Sequence, residues 1–420
     1  MINKIKPKSE FSKNVITLIT GTTVAQAIPI AISPILTRIY TPQDFGVLAL
    51  FVAISSIFGS IANGRYDLAI MIPKSDKNAL NIAALSFIIT FFISLILLFL
   101  VILFDDYFVR LLSNDDIKIW LYFIPLAIFF TGFYNIVSYY SNRKKYYNDI
   151  KNATIIKSII LASLQILVGF FKSGATGLIL GQLASNLFAN LKLLKNMIKD
   201  KNSISDISFA KMIILAKKYK NFPKFLLPSN IINTISGQLT TILFSNFFNL
   251  SVVGFLSFSE KTLNMPITLI TKSIYNVFMQ EASLYYAKNK ECVNLYKNTF
   301  KKLLILSILP FSVLLLFSPF IFSFVFGKEW EIAGKYVQIL IPMYFIKFIT
   351  IPFGSMFVIA GKQKLDLYWQ IYLIITVSIS ILVGYYLFQN IYATLGLFSM
   401  AYSLAYIING IMTFKFSKGE

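Results

Sequence analysis

Ionised side chains interrupt several long apolar stretches of this sequence. Glu260 and Lys261 lie about ten residues into the apolar window 251–278, and Lys347 lies midway along the window 332–360. At about 1.5 Å per helical residue, Glu260 and Lys261 would be about 15 Å from the helix end. A charge at the centre of a membrane helix costs about 2.5–3.5 kcal/mol, so these groups are expected to face protein or water.

The charges in and beside the apolar windows are mostly positive, which is chemistry for binding an anion. Arginine binds phosphate through two parallel hydrogen bonds, and lysine binds it as a point charge. Asp67 and Glu260 are the acidic exceptions and are candidates for coupling to a proton or sodium gradient. Lys157 and Lys272 lie closer to helix ends, where the alternative is that they snorkel to the interface. The basic residues are Arg38, Arg65, Lys157, Lys261, Lys272 and Lys347.

Several kinds of catalytic chemistry lack the residues that they need. The chain has no histidine and a single cysteine, Cys292, which excludes a disulfide framework, Cys/His metal sites and histidine-activated nucleophiles. It has no glycine-rich phosphate loop with a lysine, so ATP hydrolysis is not expected. Without a clustered acid/base or metal constellation, the sequence predicts no enzyme, no bound metal and no cofactor.

The composition is that of a membrane protein. Of 420 residues, 56% are hydrophobic and 14% charged, whereas soluble domains carry about 25% charged residues. The net charge of +21 could indicate nucleic-acid binding. However, the basic residues lie between apolar runs, where membrane orientation explains them better, and no nucleic-acid partner is predicted.

The apolar windows predict an all-α polytopic protein. A membrane-spanning helix needs about 20 mostly apolar residues, and backbone groups in lipid must bond within the segment. Twelve windows qualify, and prolines within them are read as tolerated kinks. They are residues 14–38, 44–66, 78–104, 117–141, 150–171, 174–197, 223–247, 251–278, 300–326, 332–360, 365–388 and 391–414.

The distribution of lysine and arginine predicts the orientation of these helices. With the N-terminus in the cytoplasm, 29 of the 39 basic residues fall on the inner side and 6 on the outer side. Both termini are therefore expected in the cytoplasm, with MINKIKPKSEFSK as a retained tail. A basic stretch at 192–224 suggests a solvated linker with an interfacial helix, or alternatively a partner site. We predict a lobe at 1–200, a linker at 201–222 and a second lobe at 223–420.

The two predicted six-helix lobes carry a weak internal repeat. A shift of 208 residues places Gly46 on Gly254. Polar residues also coincide at spacings that keep them on one helix face, which predicts a polar cavity shared by lobes related by an axis along the membrane normal. Ordinary hydrogen bonding between helices is the alternative. The coinciding sets are Thr22, Gln26, Ser33 and Thr37 with Asn230, Thr234, Thr241 and Ser245, and Ser56, Ser60 and Asn63 with Asn264, Thr268 and Thr271.

A polar stretch separates the first two windows. Thr41 suits a helix N-cap, Pro42 the first helical position, and Asp44 the third, so capping explains all three. No capping role explains Arg38, which closes the first window at the outer end. We expect Arg38 to meet substrate or to gate the cavity mouth with Asp44.

Four segments carry a resemblance to a known family. The sequence reads TRIYTPQDFG at 37–46 and GRYDLAIMIPKSDKNA at 64–79, then NRKKYYND at 142–149, which GKQKLDL at 361–367 echoes. Together with the twelve-window layout, these segments resemble Wzx-type flippases of the polysaccharide transporter family. That family lies within the multidrug/oligosaccharidyl-lipid/polysaccharide exporter superfamily, whose fold it shares with drug exporters of the MATE type.

The resemblance implies a function, a location and partners. It implies translocation of undecaprenyl-pyrophosphate-linked oligosaccharide units across the bacterial inner membrane, for O-antigen or capsule assembly. A polysaccharide polymerase and a chain-length regulator are candidate partners. The related lipid-II branch usually has two further C-terminal helices, whereas this chain ends at KFSKGE after the twelfth window, which favours the polysaccharide branch.

Together, residues and resemblance predict alternating access through a cationic central cavity. Asp44, Asp67 and Glu260 are expected to gate or couple, and Tyr368 and Trp369 are candidate sugar contacts. A cation-coupled drug antiporter is the alternative, and carboxylates dominating the cavity would favour it. A membrane scaffold is a third class. The predicted cavity residues are Gln26, Arg38, Asn63, Arg65, Asn233, Lys261, Asn264, Thr268, Lys272 and Lys347.

Overall fold

The computed structural model describes residues 10–112, 114–171, 174–199 and 206–419. No residue in these ranges belongs to a β-strand. The predicted linker at 201–222 lies partly outside the described residues. Its described portion includes a helix at Phe209–Lys218 whose last turn carries Lys217 and Lys218.

The described chain contains twelve long helices, one for each predicted window. Several short helical segments connect them. The long helices are α1 (Glu10–Ile39), α2 (Pro42–Gly59), α3 (Asp76–Leu111), α4 (Ile124–Arg143), α5 (Tyr147–Gly169), α6 (Thr176–Lys199), α7 (Leu227–Phe247), α8 (Leu250–Asn289), α9 (Val293–Phe326), α10 (Glu331–Thr350), α11 (Gln363–Val383) and α12 (Ile391–Ser417).

Not every long helix is apolar enough to be recognised as a membrane span. Eight qualify by length and hydropathy among the described residues, and α4 makes a ninth when joined to the segment at 115–121, from which it bends by 51°. The remaining three, α6, α7 and α8, are long but carry internal polar or charged residues. The all-α membrane fold is confirmed, and the count of twelve crossings stays a prediction.

Two predicted boundaries differ from the structure. We expected one helix to carry Asn63 and Asp67 beyond Ser60, but α2 ends at Gly59 and turns lead to a short helix at Tyr66–Ala69. Arg65 precedes that helix with a φ of 62°, a left-handed conformation that interrupts helical geometry. In α3, the non-helical backbone of Phe104 marks a kink, and the helix continues to Leu111.

The chain divides into two compact units, Met1–Gly254 (unit 1) and Phe255–Glu420 (unit 2). In unit 1, α7 packs against α2, and the core includes Leu50, Phe51 and Ile128. Large aromatic side chains fill the core of unit 2. Phe258 lies with its ring centroid 4.6 Å from Trp330 and 4.9 Å from Phe326, and Tyr296 stacks on Phe353 at 3.9 Å.

Two segments that carry the family resemblance meet in a brace in unit 1. Arg143 Nε donates to Asp76 Oδ1 at 2.9 Å, and Lys144 Nζ donates to Asp76 Oδ2 at 2.8 Å. The Arg143 guanidinium also donates to the carbonyl oxygens of Ile70, Met71 and Lys74 at 3.3–3.4 Å. A guanidinium satisfies a carboxylate and nearby carbonyls together because its donors form a fixed planar fork. These motif residues therefore hold the turn before α3.

The first turns of α2 and α8 touch through two glycines. A methyl group on Gly46 would overlap the carbonyl oxygen of Leu250, and one on Gly254 would overlap the carbonyl oxygen of Pro42. Pro42 and Leu250 are the first residues of their helices and differ by the same 208 residues as the glycines. Each helix thus presents the same first-turn surface to the other. The contact supports the predicted repeat.

Replacing Arg143 by lysine should destabilise the protein despite the retained charge. Lysine cannot bond Asp76 and the carbonyls together, and hydrogen bonds to charged groups contribute about 1.5–3 kcal/mol. We expect a lower thermal unfolding midpoint in detergent. Lys145→Ala is the matched control, because Lys145 is an exposed neighbour. Equal midpoints for Arg143→Lys and Lys145→Ala would contradict the brace.

Alanine at either glycine of the α2–α8 contact should force the two helix starts apart. Overpacking typically costs about 1–3 kcal/mol, so Gly46→Ala and Gly254→Ala should each lower the unfolding midpoint. The double variant should lose less than the sum, because one separation accommodates both methyl groups. Gly59→Ala is the control within α2, since nothing lies within 4 Å of its added methyl. Strictly additive losses would argue against a shared contact.

Candidate functional site

Unit 2 brings several predicted site residues together in a polar cluster, which consists of Glu260, Asn264, Tyr344, Lys347 and Tyr402. Glu260 and Asn264 lie one turn apart on α8, and Tyr344 and Lys347 one turn apart on α10, so each pair shares a helix face. The Asn264 amide nitrogen donates to the Tyr344 hydroxyl at 2.9 Å, and its oxygen accepts from Lys347 Nζ at 3.5 Å. Asn264 therefore connects the two helices.

The ammonium group of Lys347 is held mainly by neutral partners. It lies 5.3 Å from the ring centroid of Tyr344 and 5.8 Å from that of Tyr402. Glu260 attracts it electrostatically, but no ion pair joins them among the described residues. Aromatic faces can stabilise a desolvated cation by about 2 kcal/mol. This arrangement keeps a half-buried positive charge without direct neutralisation.

Aromatic residues behind the cluster fix its position. Tyr402 stacks on Tyr406 at 5.5 Å, and Trp369 meets the Tyr406 ring edge-on at 5.2 Å. The Trp369 indole N–H donates to the Ala405 carbonyl oxygen at 2.7 Å. Trp369 thus supports the packing of α11 on α12. Its neighbour Tyr368 is exposed and remains a candidate sugar contact.

Sequence reasoning missed the two tyrosines that contact Lys347. A signal for Tyr344 was present, because it lies three residues before Lys347 and so shares its helix face. Tyr402 lies 55 positions further along the chain than Lys347 and carried no local signal. Only the packing of α12 on α10 brings it to the ammonium group.

Lys261 lies on a different face of α8 from Glu260. Ser259 and Leu263 are buried within unit 2, and the Ser259 hydroxyl donates to the Ala333 carbonyl oxygen at 2.9 Å. Lys261, Thr268 and Lys272 are exposed, and their spacing of 7 and 11 residues places them along one stripe. Within the described part of α8, Glu260 and Lys261 form no ion pair with each other.

Arg65 and Asp67 form a second charged group, in unit 1. Arg65 precedes the short helix at Tyr66–Ala69, and Asp67 lies within it. Arg65 Nε and Asp67 Oδ1 are buried without a hydrogen-bond partner among the described residues. Burial raises the pKa of Asp67, and the nearby Arg65 guanidinium partly lowers it again. Such a carboxyl gains a proton at higher pH than an ordinary aspartate does.

Asp44 adopts the capping geometry expected at the start of α2. Its carboxylate accepts from the Thr41 backbone N–H at 2.9 Å, and the Thr41 hydroxyl accepts from the Asp44 backbone N–H at 3.2 Å. Arg38 is exposed at the end of α1, where its guanidinium donates to the carbonyl oxygen of Pro34. The proposed gating role of these two residues stays a prediction.

The other predicted cavity residues of unit 1 differ in exposure. Asn63 is buried, and its amide nitrogen donates to Thr90 Oγ1 at 2.9 Å and to the Gly132 carbonyl oxygen at 3.0 Å. These two hydrogen bonds join Asn63 to helices α3 and α4 and so contribute to packing within unit 1. By contrast, Gln26 is half-buried on α1 and Asn233 is exposed on α7.

Lys157 contacts an aromatic ring of a neighbouring helix, and its snorkelling to the interface stays a prediction. Its ammonium group lies 4.9 Å from the ring centroid of Tyr134, on the neighbouring helix α4. A cation over an aromatic ring is stabilised without a carboxylate. Unit 1 therefore uses the same device at Lys157 that unit 2 uses at Lys347.

Comparison with known proteins gives both a family and a fold. The family model described as polysaccharide biosynthesis protein matches residues 35–334. The teichuronic acid biosynthesis protein TuaB of Bacillus subtilis (strain 168) is 24% identical over 158 residues, which is 37% of this chain and 32% of that protein. The match thus spans about a third of that relative's length.

Several solved structures superpose on nearly the whole of this chain, although their sequence identity to it is low. The lipid II flippase MurJ, in an inward closed conformation, superposes with a TM-score of 0.72 at 14% identity, covering 96% of this chain and 90% of that one. A MATE transporter in the bent conformation gives 0.57 at 12% identity, covering 96% and 94%. A MOP-superfamily transporter from Pyrococcus furiosus gives 0.54 at 13% identity, covering 96% and 94%.

At sequence identities of 12–14%, these similarities establish a shared fold but not a shared substrate. The family model, in contrast, covers well over half of the chain. The protein therefore belongs to the polysaccharide biosynthesis protein family and has a multi-pass membrane fold similar to those of MurJ and the MATE transporters.

Proposed function

We propose that this protein is a flippase that moves an oligosaccharide linked to undecaprenyl pyrophosphate across the bacterial inner membrane, for O-antigen or capsule assembly. The observation that carries the proposal is Lys347, a half-buried cation held by an amide oxygen and two aromatic rings. Family membership supports a glycan substrate. The fold shared with a lipid II flippase supports a lipid-linked one.

A diphosphate needs local positive charge to pass through a membrane. Transferring an uncompensated charge into a medium of low dielectric constant costs tens of kcal/mol in the ideal limit. Lys347 supplies a preformed cation within unit 2, and Lys261 and Lys272 supply two more along the exposed stripe of α8. The polar groups of Gln26, Asn233 and Thr268 are suited to sugar hydroxyls.

Alternating access is the mechanism that we propose for this transport. The glycine contact between α2 and α8 lies at the predicted outer end of these helices, where it closes them on each other. Opening to the outside would separate the two helix starts, and reclosing would restore the contact. No covalent chemistry is required of the protein, so we assign it no enzymatic activity.

Energy coupling and partners belong to the same proposal. Glu260 is close enough to Lys347 to change its effective charge when protonated, and Asp67 interacts with Arg65 in a comparable way. Either carboxyl could couple the cycle to a proton or sodium gradient. A polysaccharide polymerase and a chain-length regulator would receive the translocated unit.

A cation-coupled drug antiporter is the competing proposal, supported by the MATE fold and by Glu260. An organic cation would bind the carboxylate of Glu260, and Lys347 would repel it. The two proposals therefore predict opposite effects of removing the Lys347 charge. Removing the lysine charge should weaken the binding of a phosphate-bearing substrate and strengthen the binding of a cationic one.

Lys347→Met should reduce glycan-lipid translocation at least tenfold, with about 1.4 kcal/mol of lost interaction corresponding to each factor of ten. Methionine keeps the apolar length of the side chain but removes the charge. In a deletion strain complemented with the variant, undecaprenyl-linked units should accumulate on the inner leaflet while the protein level in the membrane is unchanged.

Lys335→Met is the matched control for that experiment. Lys335 lies on the same helix, α10, in an exposed pair with Glu331 at 2.9 Å. It should complement the deletion fully. Normal translocation by Lys347→Met would refute the proposed role of the cluster, and new efflux of organic cations would favour the antiporter.

Glu260→Gln should separate transport from its driving gradient. The neutral amide keeps the shape of the side chain but cannot exchange a proton or attract Lys347 as a carboxylate does. In proteoliposomes, we expect residual translocation that no longer accelerates under an imposed pH or sodium gradient. Unchanged acceleration would exclude Glu260 as the coupling group, and Asp67→Asn would then be the variant to examine.

A further inference from the structure

A cleft in unit 2 lies apart from the polar cluster and has a different chemistry. It has a volume of about 650 Å³ and is bounded by α9, α10 and α12. It is lined by Phe300 and Leu304 from α9, Phe345 and Ile349 from α10, and Ile407 and Ile411 from α12. These residues are apolar, so the body of the cleft suits an apolar occupant.

Three lysines lie at one end of the cleft. Lys297 belongs to the first turns of α9, and Lys415 and Lys418 to the end of α12. Among the described residues that line the cleft, none is acidic. Within the described part of the chain, Lys297 and Lys415 form no ion pair with a carboxylate. The open end is therefore positively charged and the interior apolar.

The two hydroxyl groups that line the cleft are already hydrogen-bonded within the protein. The Tyr296 hydroxyl lies 3.2 Å from the Gly410 carbonyl oxygen and 3.1 Å from Thr413 Oγ1, and the Thr350 hydroxyl donates to the Ile346 carbonyl oxygen at 2.8 Å. A ligand inside the cleft would find no unpaired partner there. Its polar atoms would have to lie at the lysine end.

The dimensions place the lysines at the level of lipid headgroups. With 34 residues, α9 extends about 51 Å, which is about 20 Å more than the hydrocarbon core of a bilayer. Its first turns, including Lys297, can therefore lie outside the hydrocarbon. Along α12, Ile407 to Lys418 covers about 16 Å, close to the thickness of one leaflet.

We propose that the cleft binds one anionic phospholipid, with its phosphate at Lys297, Lys415 and Lys418 and an acyl chain between α9 and α12. Basic pockets between membrane helices are a known way to hold anionic headgroups. The proposal does not depend on which molecule the protein transports.

Native mass spectrometry of the detergent-purified full chain tests the proposal with phosphatidylglycerol and phosphatidylcholine of identical acyl chains. The wild type should retain one phosphatidylglycerol in clear preference to phosphatidylcholine. Lys297→Ala combined with Lys415→Ala should weaken phosphatidylglycerol retention about 25-fold, since each basic residue near a lipid phosphate contributes about fivefold. Phosphatidylcholine retention should change much less.

Lys301→Ala combined with Lys302→Ala is the matched control, because these exposed lysines lie on α9 outside the cleft. It removes the same charge and should keep the lipid preference. Ile411→Trp should fill the cleft and lower retention of both phospholipids. If both double variants lose phosphatidylglycerol retention equally, the effect is one of general surface charge, and the proposed site is refuted.

A third probe, geranylgeranyl diphosphate, distinguishes a phospholipid from the isoprenoid tail of a transported molecule. We expect it to displace phosphatidylglycerol only weakly from the wild-type protein. If the diphosphate binds with the same dependence on Lys297 and Lys415 while phosphatidylglycerol does not, the cleft is an isoprenoid site and the phospholipid proposal fails.

Discussion

The requirement to stabilise charge inside an apolar bundle governs unit 2. Lys347 would be costly on a helix that faced only lipid, and a carboxylate paired directly with it would cancel its charge. The protein uses a third solution, in which an amide oxygen and two tyrosine rings surround the ammonium group. These partners come from α8, α10 and α12, so the cation depends on the packing of three helices.

The helical layout could be predicted from the sequence because a bilayer imposes a simple rule on length and polarity. Each of the twelve windows coincides with a long helix, including α7 and α8, whose polar residues lower their hydropathy. The end of α2 could not be predicted in this way. Hydropathy gives no indication of the left-handed conformation of Arg65. The polar pattern continues past Gly59 with helical spacing, although the helix itself ends there.

The candidate site was predictable in its charges but not in its partners. Glu260 and Lys347 were identified because charge is rare inside apolar windows, and Asn264 because it lies on a polar stripe. Asn63 carried the same signal as Asn264, yet its amide joins helices inside unit 1 while Asn264 contacts a cation. Composition and spacing cannot separate these roles, because both asparagines lie on polar stripes. The difference arises only from what the neighbouring helix presents.

The glycine contact shows how a sequence repeat acquires physical meaning. A shift of 208 residues superposes Gly46 on Gly254 without indicating that the two residues touch. In the structure, each glycine admits the carbonyl oxygen of the first residue of the other helix. A contact between equivalent surfaces has one optimal geometry for both helices, so a change that separates one side separates the other. Two glycines at equivalent positions therefore form one closure between the first turns of α2 and α8.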